Sequence, residues 1–187
     1  MKQPSWVPGR ARRITRSGLC IALLAVSARM SIPLPFYPVA FSMQTFVVLV
    51  MGLLLCPADS FFSMLGYLGL GLAGAPVFSQ GGGLSYVLEP SFGYLLGFLF
   101  AAPLVSILSR RLRGDAGRVV ACALASLLLS ALGIAYFALI QGVYLHAPIT
   151  LQMAWYMFYV YLPLDVAKLL LSVCAAAPLQ RRLGAWL

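Results

Sequence analysis

Runs of apolar residues, broken by short polar punctuation, repeat along the whole 187-residue chain. A helix needs roughly 20 residues to cross a bilayer. By that measure the runs predict spans over Ile14–Ser31, Val39–Cys56, Ala58–Gly74, Gly93–Ser109 and Val119–Gly142, with Pro57 separating the second from the third and Pro103 inside the fourth. The stretch from Leu151 to Leu187 is too long for one crossing, since a helix of its length would extend about 55 Å at 1.5 Å per residue, nearly twice a hydrocarbon core. Pro163 disfavours helix at Leu162 and suits the first turn of a new one. The pattern therefore predicts a short extra helix over Leu151–Tyr161, capped by Thr150, and a sixth span over Pro163–Leu179. None of the runs alternates apolar with polar residues as barrel strands do. The expected fold is an all-α integral membrane protein: a six-transmembrane-helix bundle forming a single domain over residues 1–187.

Composition agrees: 62% of the residues are apolar and 9% charged, against about half and a quarter in soluble chains. The thirteen Lys and Arg residues, which dominate a net charge of +9, test the span count. Lys2, Arg10, Arg12, Arg13 and Arg16 precede the first span, Arg110, Arg111, Arg113 and Arg118 join the fourth to the fifth, and Arg181 and Arg182 follow the sixth. With six spans these clusters share one side, and the opposite loops (32–38, 75–92 and 143–162) contain no Lys or Arg. This is the positive-inside asymmetry, and it places both termini in the cytoplasm. The arginines flank apolar spans without interleaved aromatics, so nucleic-acid binding is not expected. A signal-peptide reading of the N-terminus, with a core LCIALLAV before Val26-Ser27-Ala28, leaves five spans and splits the basic clusters between sides.

Two cations, Arg29 and Lys168, lie in or at the edge of apolar spans, where an ionisable group is costly and marks a candidate function. Asp165 precedes Lys168 by three residues, so both project from one helix face. The pair is either a structural ion pair or a small-molecule site that offers an acceptor to ligand N–H groups and a cation to a ligand carboxylate. Arg29 can instead extend to the interface. The loop APVFSQGGGLSYVLEPSFGY carries Gly81, Gly82 and Gly83 beside Ser79, Gln80, Ser85, Tyr86 and Glu89. Glycine runs allow close backbone approach to a ligand or lid motion. No Gly-Lys-Ser/Thr follows, so no nucleotide site is legible. His146 is isolated, and Cys20, Cys56, Cys122 and Cys174 are scattered without metal-ligand spacing, so no cofactor, metal site or catalytic constellation is expected. Most Trp and Tyr residues fall near span ends, as interfacial aromatics do. Gly18, Ala22, Ala25 and Ala28 give the first span a small-residue face suited to close helix packing.

Three segments carry a family resemblance. ARMSIPLPFYPVAFSMQTFVVLVMGLLLCP resembles the first loop and second helix of BioY, the biotin-binding substrate-capture (S) component of energy-coupling-factor (ECF) transporters, whose members read close to IPLPFTPVPITLQTLFVLLAGLLLG. GYLGLGLAGAPVFSQGGGLSYVLEPSFGYLLGF is similar to that family's LxGLPVFxGGxGG followed by PTGGYLLGF, and YLPLDVAKLL resembles its FLPGDLLKA. The resemblance runs over roughly residues 20–175 in the right order, with the fifth span matching only in length and apolarity. It implies a high-affinity biotin-binding subunit, not an enzyme, in a bacterial cytoplasmic membrane. Asp165 and Lys168 match the Asp and Lys implicated in holding the polar ends of biotin, Gln44 the Gln of LQT, and Gly82 and Gly83 the closing loop. Leu164 and Glu89 stand where the family has Gly, and Ser91-Phe92 where it has Thr-Gly. Tyr86 and Ser91 join the expected ligand-facing set. Phe36, beside Tyr37 and Val39 in a loop stiffened by Pro33, Pro35 and Pro38, is expected to pack over ligand. By resemblance the partners are a transmembrane coupling protein (EcfT) and two ABC-type ATPases, the former expected on the Gly18, Ala22 and Ala25 face. A capture component for another vitamin, an ion-driven secondary transporter and an intramembrane enzyme remain as alternatives.

Overall fold

The computed structural model describes residues 9–32, 41–112, 114–143 and 151–183. They form six α-helices: α1 (Gly9–Arg29), α2 (Gln44–Leu54), α3 (Pro57–Leu72), α4 (Phe92–Arg111), α5 (Asp115–Val143) and α6 (Leu151–Leu183). Two short strands, β1 (Ser31–Ile32) and β2 (Phe41–Ser42), pair antiparallel, with Ser31 opposite Ser42 and Ile32 opposite Phe41. A single 3-10 turn, Leu84–Leu88, precedes α4. Arg29 at the end of α1 reaches Pro76 after α3, and Tyr136 on α5 reaches Val87, so the C-terminal parts of α1, α3 and α5 lie toward one end of the bundle. The other end carries the arginine clusters and the α2–α3 corner.

Helices α4 and α5 and the Leu162–Arg181 part of α6 are long and apolar enough to cross a membrane, which makes this a multi-pass membrane protein. Helices α2 and α3, with 11 and 16 residues, are shorter than the roughly 20 that a full crossing needs. The second expected span, Val39–Cys56, is shortened because Phe41 and Ser42 pair as strand with the end of the preceding segment. The expected break at Pro163 does not occur. Residues 151–183 form one continuous helix with Pro163 and Pro178 inside it. A proline withholds one backbone N–H and crowds the preceding turn, but in a membrane bundle the neighbouring helices tolerate that local defect. Thr150, the expected cap, lies outside the described residues.

Local rules explain the α2–α3 corner. Cys56 is extended, as a residue before proline must be, and Pro57 opens α3 at a position where its missing N–H costs nothing. The freed carbonyls at the end of α2 are met by side chains from other helices. Ser106 Oγ donates to the Leu55 carbonyl at 2.6 Å and Arg110 donates to the same oxygen at 3.2 Å, while Gln180 Nε2 donates to the Leu53 carbonyl at 2.9 Å. Arg118 bridges this corner to α5, donating to Gln180 at 2.9 Å and to Asp115 at 2.9 Å. Arg13 on α1 reaches Asp59 on α3 at 2.5 Å.

Tight helix packing fills the core. Gly52 on α2 lies so close to α4 that an added Cβ would sit 2.7 Å from the Ala102 carbonyl, and Gly93 on α4 leaves no room against Tyr136 of α5. Small residues of this kind let membrane helices approach where apolar solvent supplies no hydrophobic drive. Leu24, Val48, Leu49, Tyr67, Phe78, Val105, Cys122 and Phe137 are buried between the helices.

Candidate functional site

Helix α6 packs against α2 and α5. Lys168, Leu169, Ser172 and Ala176 turn into the bundle from it, the spacing of one helical face. Lys168 is 5% exposed, and its Nζ pairs with Asp165 Oδ1 at 3.3 Å. In an apolar surround neither charge is tolerable alone, so the pair holds both in place. The carboxylate can accept N–H groups, the ammonium can donate to an anionic or carbonyl oxygen, and together they can grip a ligand that carries both kinds of group.

Beside Asp165 a groove of about 180 Å³ opens between α5 and α6, lined by Ser126, Ser130, Leu162, Val166 and Leu169 among others. The Ser126 hydroxyl is buried there with no hydrogen-bond partner among the described residues. Sequence reasoning missed both serines. The available signal was their spacing, four apart on one face of an otherwise apolar span.

At the loop end, Gln44 opens α2 and is buried, its amide held by Tyr67 at 2.7 Å. Tyr86 is buried in the 3-10 turn, and its hydroxyl joins Ser79 at 2.9 Å and Ser91 at 3.1 Å. The turn is tied to α5 as well, for the Tyr136 hydroxyl donates to the Val87 carbonyl. The glycine run is packed against the end of α3. A Cβ on Gly82 would stand 2.1 Å from the Ala75 carbonyl oxygen, and Gly83, at φ +107°, donates its N–H to the Gly71 carbonyl at 2.7 Å. Arg29 extends from the end of α1 to the Pro76 carbonyl at 3.0 Å, which gives this cation a role the sequence left open.

The structure thus joins Asp165 to Lys168, Tyr86 to Ser91, and Gln44 to the third loop. Phe36, with the proline segment around it, and His146 lie outside the described residues. On α1, Gly18 and Ala22 are exposed together with Leu19, Leu23 and Val26, whereas Ala25 is partly buried against the core. Among the described residues no group of three or more His, Cys, Asp or Glu could hold a metal ion.

The described residues thus form a helical membrane bundle with a charged pair on α6 and a glycine-rich loop packed against the end of α3. The same fold occurs in the crystal structure of the S-component for biotin from an ECF-type ABC transporter, with a TM-score of 0.82 and 23% identity over 92% of each chain. A model of the BioY family matches residues 1–185, and the chain belongs to that family. A protein of Lysinibacillus sphaericus described as a probable biotin transporter BioY is 39% identical over 127 residues, which cover 67% of this chain and 64% of that one. A second, from Rickettsia prowazekii (strain Madrid E), is 29% identical over 158 residues, 83% of this chain and 78% of its own. The biotin transporter BioY of Thermotoga maritima is 34% identical over 101 residues, 54% and 59% of the two chains. The match thus spans a little under two thirds of the length of the first and third of these relatives.

Proposed function

We propose that this protein is the biotin-capture subunit of an ECF-type vitamin transporter in the cytoplasmic membrane of a bacterium, with both termini inside and the loop end facing out. Membership of the BioY family and relatives described as biotin transporters support the ligand class. The observation that carries the reading is the pairing of buried Lys168 with half-buried Asp165. Biotin presents ureido N–H donors, an apolar thioether body and chain, and one carboxylate. Asp165 accepts from the ureido group, Lys168 meets an oxygen of the ligand, and the apolar helix faces hold the body, a division of labour usual in ligand pockets. Gly82, Gly83, Tyr86 and Ser91 shape the loop that closes over the ligand, and Phe36 completes the cover.

Delivery requires partners: the coupling protein EcfT and two ABC-type ATPases. The exposed Gly18 and Ala22 surface of α1, continued by Ala25, is where the coupling protein docks, since small residues permit close helix approach. The chain acts as a transporter subunit and not as an enzyme.

Equilibrium binding of biotin to the purified protein tests this reading. Wild type binds, and Asp165→Asn and Lys168→Ala each weaken binding by more than about tenfold, or about 1.4 kcal/mol. Well-folded wild type that ignores biotin in that assay would turn the assignment to another vitamin.

A further inference from the structure

Arg29 is an exception to the charge asymmetry of this chain. Apart from it and Lys168, every Lys and Arg lies in the three clusters that flank the spans, and the loops of the opposite end (32–38, 75–92 and 143–162) contain none. Basic residues are scarce on that side of a membrane protein, so a guanidinium at the outer end of α1 calls for a reason. Its Nη2 donates to the Pro76 carbonyl at 3.0 Å, and the side chain is exposed. A carbonyl oxygen orients the guanidinium without balancing its charge, and the contact uses one of five N–H donors.

Helical rise sets the depth of Arg29 relative to the charged pair. Arg13 meets Asp59 at the start of α3, and Gln180 meets the Leu53 carbonyl at the end of α2, so both contacts mark the α2–α3 corner. On α1, Arg29 comes sixteen residues after Arg13, and on α6, Asp165 comes fifteen residues before Gln180. At about 1.5 Å per residue each stands about 22–24 Å from that corner, at nearly the same level. Helix α2 packs against both α1 and α6. With 11 residues it rises only about 16 Å, so its outer end stops short of both charges.

Asp165 and Lys168 stand one turn apart and serve the same end of a ligand. Gln44, Gly82, Gly83, Tyr86 and Ser91, assigned to the loop side of the site, include no cation. In biotin the carboxylate lies at the far end of a four-methylene chain from the ureido ring, and beside apolar helices it needs an opposite charge or strong donors. An arginine presents both in a planar fork that matches a carboxylate bidentately. We infer that Arg29 receives the ligand's carboxylate across the outer end of α2 and so selects the acid over its neutral analogues. The inference rests on the reading of this chain as a biotin-capture protein.

The experiment measures binding of biotin and of biotinamide, in which a neutral amide replaces the carboxylate, to full-length wild type, Arg29→Gln and Arg29→Met. Wild type is expected to hold biotin at least about tenfold more tightly than the amide. In both variants biotin affinity should fall about tenfold, to that of the amide, while amide affinity stays within about twofold of wild type. A variant that keeps the wild-type preference for the acid overturns the inference. Equal weakening of both ligands overturns it too, and assigns Arg29 to the last turn of α1, where the helix dipole favours a cation. If Arg29→Gln fails to fold, Arg29→Met, which keeps a long stem without the charge, decides by the same comparison. Wild type that binds both ligands equally leaves the capture reading standing and removes Arg29 from the site, whereas wild type that binds neither overturns both.

Discussion

Lys168 keeps its ammonium inside an apolar bundle by pairing with Asp165, one helical turn away. Removing either partner takes the compensating charge from beside the other, so loss of one side chain costs more than the pair contributes. Both residues and their shared face were legible in the sequence, because an i, i+3 spacing is a local property of any helix. Ser126 shows the opposite case. Its position in an apolar span is visible in the sequence, but its hydroxyl is orphaned only because of how α5 lies against α6 beside Asp165. An unsatisfied buried hydroxyl destabilises by roughly 1–3 kcal/mol. Ser126→Ala is therefore expected to raise the thermal stability of the ligand-free protein. If the groove belongs to the ligand site, the same change weakens biotin binding about threefold, one lost hydrogen bond. Parallel melting and titration curves separate the two effects.

Among the elements, α4 and α5 match the expected spans within a few residues, because long uninterrupted apolar runs leave a membrane helix little choice. The α2–α3 corner is equally local, set by Pro57 and the extended residue before it. Two elements differ. Helix α2 begins at Gln44 rather than near Val39, since the strand pairing of Phe41 and Ser42 involves residues at the end of α1 that no local rule connects to them. Helix α6 continues through Pro163, where proline propensity alone argues for a stop. Because the helix already runs through that position, Pro163→Ala should restore a hydrogen bond to the Tyr159 carbonyl and stabilise the fold by about 1–3 kcal/mol. Thermal unfolding in detergent measures it, and a variant that melts at or below the wild-type temperature would contradict a helical backbone at residue 163.

On the scale of the whole molecule, Arg110, Arg118 and the Arg13–Asp59 pair surround the α2–α3 corner, and the glycine-rich loop lies toward the opposite end of the bundle. If the coupling protein docks on α1, Ala22→Phe should abolish assembly with it while leaving biotin affinity unchanged. Co-purification with the partner and a binding titration on the same sample check both halves. Membrane class, charge asymmetry and the Asp165–Lys168 pair were determined by the sequence alone, because hydropathy, charge order and helical spacing act over one segment at a time. Tertiary structure decided the hydrogen bond from Gln44 to Tyr67, the packing of Gly82 against the end of α3, the orphaned Ser126 and the unbroken α6. Each depends on groups from separate segments or on the neighbours of a helix, and only the folded bundle brings those together.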